Sequence, residues 1–348
     1  MTPRSFRPTL VAAALALAGL AAQAQDNKVL NLYSARHYQT DEALYANFTK
    51  ATGIRINRID ADDAGLLARL KSEGSASPAD AVLLVDAARL YKAEVEGLFQ
   101  PVKSALLEQR IPATLRGKDG GQGSAWFGFS TRARMVVYSK ADVKPTDVDS
   151  YAKLADAVNK GRVCTRSGAH PYNLSLFGSV LEHQGPEKTE AWLKGLVDNM
   201  ARAPKGGDTD QIKAVASGEC KVALTNSYYL ARLLRSTKTE DRELVDRIGW
   251  VFPDQQGAGT HVNVAGGAVA AHAKNRDAAQ KFLEYLASDE AQGYFANGNN
   301  EWPVVKGIKL ANPALDRLGA FKQETVPIAA VGANQAKVQQ MLDRVGYK

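Results

Sequence analysis

From residue 29 onward, short apolar runs alternate with stretches in which apolar side chains recur every three or four residues. Val29 to Ser34 reads as a strand, followed by a helix from about Thr40 to Ala51 with Leu44, Phe48 and Ala51 on one face and Gly53 as its stop. The same order returns twice: strand Ile54 to Ile59 with helix Ala64 to Glu73, then strand Ala81 to Val85 with helix Ala87 to Glu96. Further on, the pattern predicts strands at Trp126 to Thr131, Met135 to Tyr138, Arg162 to Arg166, Lys221 to Thr225, Trp250 to Phe252 and His261 to Ala271. Helices are expected at Tyr151 to Asn159, Asn173 to His183, Glu187 to Met200, Thr209 to Ala216, Leu230 to Arg235, Arg276 to Ala287 and Glu290 to Asn297, with a helical tail. Strand-then-helix repetition implies an α/β fold whose sheet is mostly parallel and covered by helices.

Two glycine-bearing stretches, Gly117 to Gly128 and Gln256 to Thr260, interrupt this rhythm. Long structureless loops inside one compact domain are uncommon, so they are better read as crossings between two domains. Crossings near Phe129 and Thr260 give a first lobe of residues 25–128 plus 260–304 and a second lobe of 129–259 plus 305–348. Two lobes joined by more than one crossover make a hinged clamp.

The start of the chain is not expected to belong to the fold. Arg4 and Arg7 precede an apolar stretch from Leu10 to Leu20, and Ala22-Gln23-Ala24 has the small-residue pattern of a signal-peptidase site. Residues 1–24 read as a cleavable export signal, which makes the mature protein periplasmic. The apolar stretch is too short to span a bilayer, and no later segment replaces it, so stable membrane insertion is not expected. Removal leaves roughly 320 residues, enough for two domains at about 150 each, and lowers the net charge from +7 to about +5. That charge is spread along the chain without a basic block, which argues against nucleic-acid binding.

Cys164 and Cys220 are the two cysteines. Export favours a disulfide between them, each opening an apolar segment as neighbouring strands would. Two free buried thiols are the other reading, and the spacing excludes a CxxC site.

Candidate chemistry gathers where strands give way to helices, the position at which α/β proteins bind ligands. Arg36, His37 and Tyr38 follow the first strand, Tyr172 follows Arg162 to Arg166, and Tyr228 with Tyr229 follows Val222 to Leu224. Ionising a tyrosine at neutral pH costs on the order of 4 kcal/mol, because an unperturbed phenol titrates near pH 10. A trivalent, oxygen-loving cation can supply that, whereas softer ions would recruit sulfur and calcium or magnesium would recruit carboxylates. Four phenols and an imidazole therefore suggest a hard-metal site, ferric iron in particular. Tyr33, Tyr45, Tyr91, Tyr138 and Tyr285 read as packing residues, and His170, His183, His261 and His272 lack a partner at ligand spacing.

With YSARHY (Tyr33 to Tyr38), VCTRSGAHPYN (Val163 to Asn173), LTNSYYLARL (Leu224 to Leu233), FPDQQGAGTHVNVAGGAV (Phe252 to Val269) and NEWPV (Asn300 to Val304), the chain resembles the periplasmic ferric-ion-binding proteins that feed iron ABC importers. The resemblance implies a two-lobed type II periplasmic binding protein fold with a hinge between two mixed sheets, acting as a monomer. It implies Fe(III) as cargo, held by His37 and Tyr38 from the first lobe and Tyr172, Tyr228 and Tyr229 from the second, and delivery to a membrane permease with its ATPase. A synergistic carbonate or other small anion completes the shell in some members of that family, and Arg36 and Arg166 are the nearest arginines in sequence to balance charge.

Two rival readings stand beside this one. A binding protein of this fold could take a small organic anion or polyamine, with the tyrosines as stacking and hydrogen-bonding walls. An exported enzyme is the other, but GxSxG, HExxH and GxxxxGK[ST] are all missing, and SxxK occurs only as the isolated Ser150 to Lys153. The chain is not expected to be an enzyme.

Overall fold

A computed structural model of the chain describes residues 28–36 and 40–348. The expected export signal, residues 1–24, and the candidate ligands His37 and Tyr38 lie outside the described residues. The first part of the chain runs β1 (Val29–Ser34), α1 (Asp41–Thr52), β2 (Arg55–Asp60), α2 (Asp63–Glu73), β3 (Ala81–Leu84), α3 (Ala87–Val95), β4 (Phe99–Gln100), α4 (Ala105–Arg110) and β5 (Phe127–Ser139). Next come β6 (Val163–Cys164), α5 (Pro171–Gln184), α6 (Pro186–Asp198), α7 (Asp208–Ser217), β7 (Val222–Asn226), α8 (Ser227–Leu234), α9 (Thr239–Arg247) and β8 (Ile248–Val251). The chain closes with β9 (Val262–Ala270), α10 (Arg276–Leu286), α11 (Asp289–Asn299), β10 (Trp302–Pro303), α12 (Pro313–Leu318), α13 (Ile328–Ala333) and α14 (Gln335–Val345).

The strands pair in the order β2-β1-β3-β9-β5-β7-β6. β1 lies parallel to β2 and β3, whereas β9 runs antiparallel to β3 and β5, so the sheet is mixed rather than mostly parallel. The long strand β5 serves two sheets. Phe127 to Ala133 pairs with β9, and Arg134 to Tyr138 pairs with β7, which in turn lies parallel to β6.

Side chains one residue apart on a strand point to opposite faces, and this sorts the cores. Leu30 and Leu32 of β1 join Leu44 and Phe48 of α1 and Phe282 of α10, while Tyr33 faces the other way with Leu66 and Leu70 of α2. Phe48 and Phe282 meet edge to face with centroids 5.1 Å apart, an arrangement worth roughly 1 kcal/mol beyond the area it buries. On the second sheet, Met135 and Val137 pack with Ile212 of α7 and Leu230 of α8, and Val136 packs with Phe177 of α5 and Leu193 of α6.

Cys164 and Cys220 form a disulfide with Cα atoms 5.9 Å apart. It joins β6 to the approach of β7, its parallel neighbour. Closing a loop over a sequence separation of 56 residues restricts the unfolded chain by about 4 kcal/mol in the chain-entropy treatment.

The glycine-rich interruption is a built turn. Asp119 accepts hydrogen bonds from the amides of Gly121 and Gly123 at 2.7 and 3.0 Å. Gly123 has φ +97°, and a Cβ there would sit 2.1 Å from the Val102 carbonyl oxygen, so only glycine fits.

Several elements differ from their sequence expectation. The segments Trp126 to Thr131 and Met135 to Tyr138 are one strand, because Arg132 and Arg134 are buried within it and Arg134 finds acidic and amide partners. Residues 151–159 form two short 3-10 turns at Ala152–Ala155 and Ala157–Asn159, split by extended backbone at Asp156. There the side-chain amides of Asn159 and Asn199 take the Lys153, Leu154 and Asp156 carbonyls that a helix would have used. Helix α9 has no counterpart in the expected elements. Its sequence TEDRELVDR buries only Val245, too little apolar rhythm to read.

Candidate functional site

Three of the candidate tyrosines come together through the way two helices begin. Strand β6 hands over to α5 through residues 165–170, with His170 as N-cap, Pro171 at the first helical position and Tyr172 next. Proline suits that position because its missing N–H has no intrahelical role there. The Nδ1 of His170 accepts the Tyr172 amide at 3.2 Å. Burial, with Arg166 and Arg134 nearby, pushes the imidazole down to about 3, so it is neutral at physiological pH and free to accept.

Strand β7 runs directly into α8 with Asn226 as N-cap. The expected helix start at Leu230 is therefore late: Ser227, Tyr228 and Tyr229 already form the first turn. The Ala133 amide of β5 donates to Ser227 Oγ at 3.1 Å, stitching this helix end to the strand shared by both sheets.

The hydroxyls of Tyr172 and Tyr228 lie 3.1 Å apart. The Tyr228 and Tyr229 rings lean together, with centroids 4.2 Å apart and planes inclined by 31°. Tyr228 is buried, whereas Tyr172 and Tyr229 are half-buried. Both helix N-termini carry partial positive charge that favours an anion beside them by up to about 1 kcal/mol. Burial is the main cause that raises the Tyr172 phenol, to about 12, although Arg132 and the Tyr228 hydroxyl pull it down. In the absence of a cation this phenol is neutral, and ionising it at pH 7 costs on the order of 7 kcal/mol.

Three guanidinium groups surround the phenols. Arg166 lies 5.0 Å and Arg132 5.8 Å from the Tyr172 ring centroid, and Arg232 lies 5.7 Å from that of Tyr229. Arg166 is a candidate from sequence; Arg132 and Arg232 are not. Both leave a readable signal, since Arg232 follows Tyr229 by three residues on one helix face and Arg132 and Arg134 alternate inside an apolar run. Arg36 ion-pairs with Asp41 at 2.9 Å and Glu301 at 3.4 Å and stacks on Phe295.

The remaining histidines carry one surprise. His183 and His261 converge on Glu324, at 3.0 and 2.5 Å, and Ser179 donates to the same carboxylate. Sequence spacing hides this because His183 and Ser179 come from α5, His261 from the residue before β9 and Glu324 from the loop before α13. Among the described residues, no group of three or more His, Cys, Asp or Glu is arranged to hold a metal ion. Among the same residues, no helix is long and apolar enough to cross a membrane.

The family model described as bacterial extracellular solute-binding protein matches residues 43–323. The chain belongs to this family. Solute-binding proteins of this kind capture a ligand and are not enzymes. The chain is 46% identical over 323 residues to iron uptake protein A1 of Synechocystis sp., covering 93% of this chain and 88% of that one. Among solved structures, a Trichodesmium protein in complex with iron and citrate ligands superposes with a TM-score of 0.87 at 48% identity, covering 92% of this chain and 100% of that one. The ferric binding protein from Campylobacter jejuni gives a TM-score of 0.85 at 37% identity, with the same coverage of each chain. The solute-binding fold is thus the type II periplasmic binding protein fold, with mixed α/β sheets.

Proposed function

We propose that this solute-binding protein captures ferric iron in the periplasm and delivers it to an inner-membrane ABC permease and its ATPase. The observation that carries the reading is the 3.1 Å approach of the Tyr172 and Tyr228 hydroxyls beside the Tyr229 ring, at the starts of two helices. Phenols packed this way form a ready-made set of hard oxygen donors, which a strong cation can strip of their protons. Support also comes from the iron uptake protein and the ferric binding protein among the relatives, and from the Trichodesmium relative in complex with iron and citrate ligands.

In this reading Tyr172, Tyr228 and Tyr229 take the incoming ion first. The lobe built on β1, β2, β3 and β9 then closes as a jaw on the lobe built on β6, β7 and β8, bringing His37 and Tyr38 to complete the ligand set. Bending is expected where β5 changes partner between Ala133 and Arg134 and where the chain re-enters β9 at Val262. Three phenolates neutralise Fe(III), and a fourth leaves the site at −1. Arg132, Arg166 and Arg232 supply positive charge around the phenols, and the same charge suits a synergistic carbonate or other small anion in the shell. The protein acts as a monomer carrying one ion per chain.

Competition against a ferric chelator tests the ligand set. Tyr172→Phe is expected to weaken retention, and Tyr228→Phe combined with Tyr229→Phe to abolish it. Wild-type retention in the double variant would overturn the assignment.

A further inference from the structure

A buried ion pair, Arg134 with Asp208, lies behind the tyrosines and touches each helix end that carries them. Arg134 is 1% exposed and Asp208 0%. The Nη1 of Arg134 donates to Asp208 Oδ2 at 2.7 Å and to Asn226 Oδ1 at 3.1 Å, and its Nη2 donates to Asn173 Oδ1 at 2.7 Å. Asp208 in turn accepts the Asn226 amide at 2.7 Å and Arg166 Nη1 at 3.2 Å.

These contacts join the starts of three helices. Asn173 follows Tyr172 on α5, Asp208 is the first residue of α7, and Asn226 caps α8 just ahead of Tyr228 and Tyr229. Asn173 also donates to the Arg166 and Ser167 carbonyls at 3.1 Å, which sets the loop that carries Arg166 over the Tyr172 ring. Arg134 itself is where β5 leaves β9 and takes up β7: Ala133 faces Val262, and Arg134 faces Asn226. Its amide donates to the His261 carbonyl at 2.9 Å, and its carbonyl accepts the Tyr151 hydroxyl at 2.6 Å.

We propose that the Arg134–Asp208 pair is a positioning device: it fixes the spacing of the Tyr172 and Tyr228 hydroxyls and fastens the cluster to the strand that joins the two sheets. A pair kept only for stability has no need of such partners, since packed apolar side chains of similar volume often stabilise as well. Here every arm of the guanidinium that donates ends on a residue adjoining a tyrosine-bearing turn or on Asp208, which holds the same turns. The consequence for metal rests on the ferric reading above; the consequence for hydroxyl spacing does not.

Asp208→Asn keeps the shape and removes the charge. Loaded with ferric nitrilotriacetate, the folded variant is expected to hold iron ~10- to 100-fold less tightly, the usual effect of losing a supporting residue behind metal ligands, with a shifted charge-transfer band. In a crystal structure of its metal-free form, the Tyr172 and Tyr228 hydroxyls are expected to lie beyond hydrogen-bond reach. Should Asp208→Asn fail to fold, Asn226→Ala serves instead, since the Asn226 side chain makes no cap hydrogen bond and its carbonyl oxygen is tied to Arg134. Retention of the 3.1 Å contact, or unchanged affinity with an unshifted band, overturns the proposal. If the wild type gives no iron band at all, the ferric reading fails, and the hydroxyl spacing in the metal-free variant still decides the positioning role.

Discussion

Tyr172 and Tyr228 are 56 residues apart in sequence, yet their hydroxyl oxygens meet at 3.1 Å. The Cys164–Cys220 disulfide spans the same interval one strand behind them, and β6 and β7 lie side by side in parallel. Parallel neighbours present their following helices at the same edge of the sheet, and this is what brings two distant tyrosine-bearing turns together.

The protonation state of Tyr172 is the first consequence. Burial holds its phenol up to about 12, against an ordinary value of 10.0, and the Tyr228 hydroxyl moderates the rise. NMR of ring-labelled tyrosine, with the resonance assigned by its loss in Tyr172→Phe, is expected to show a neutral phenol up to about pH 12 in metal-free protein. Addition of gallium(III), a diamagnetic stand-in for ferric iron, should ionise it at neutral pH. Titration at the ordinary value, or no response to gallium, would contradict the account.

Iron retention should depend steeply on acidity. Each phenol that ligates must release a proton, so the logarithm of the apparent affinity is expected to rise by about 3 per pH unit with Tyr172, Tyr228 and Tyr229 alone, and about 4 if Tyr38 joins them. Chelator competition across the neutral and mildly acidic range measures the slope. A flat profile would exclude proton-coupled phenolate binding.

Glu324 makes a separate prediction about stability. Its burial works to raise the carboxyl, but His261 and the hydrogen bonds from His183, His261 and Ser179 outweigh it and hold the group at about 2, below the ordinary 4.5. A folded value below the unfolded one means that the stabilisation is complete above about pH 4.5 and is lost as pH falls through about 2. The difference corresponds to at most about 3 kcal/mol, reached while the histidine partners are charged, so Glu324→Gln is expected to lower stability at neutral pH by up to that order. Urea unfolding at neutral pH and at pH 3 checks this. The gap between wild type and variant should narrow in acid, and a gap that stays constant would remove Glu324 from the acid response.

Much of this architecture is legible in the chain. The strand and helix rhythm appears where one face of an element is apolar, as in Leu44 and Phe48 of α1, and the tyrosine-bearing junctions follow from it. The departures share a physical cause, which is that long-range polar partners are invisible to local patterns. Arg132 and Arg134 read as a break in β5 because Glu301, Asp208, Asn173 and Asn226 are remote in sequence. Glu324 carries no local signal because its histidine partners are 63 and 141 residues away. The start of α8 reads too late because apolar periodicity begins at Leu230, whereas the helix begins where the Ser227 hydroxyl can take the Ala133 amide.

A visible-absorption titration of metal-free protein with ferric iron tests the central claim most directly. The account predicts a tyrosinate-to-iron charge-transfer band that grows linearly, saturates at one ion per chain and vanishes when Tyr228 and Tyr229 are both replaced by phenylalanine. A protein that remains colourless at saturation, or an unchanged band in that double variant, would contradict it.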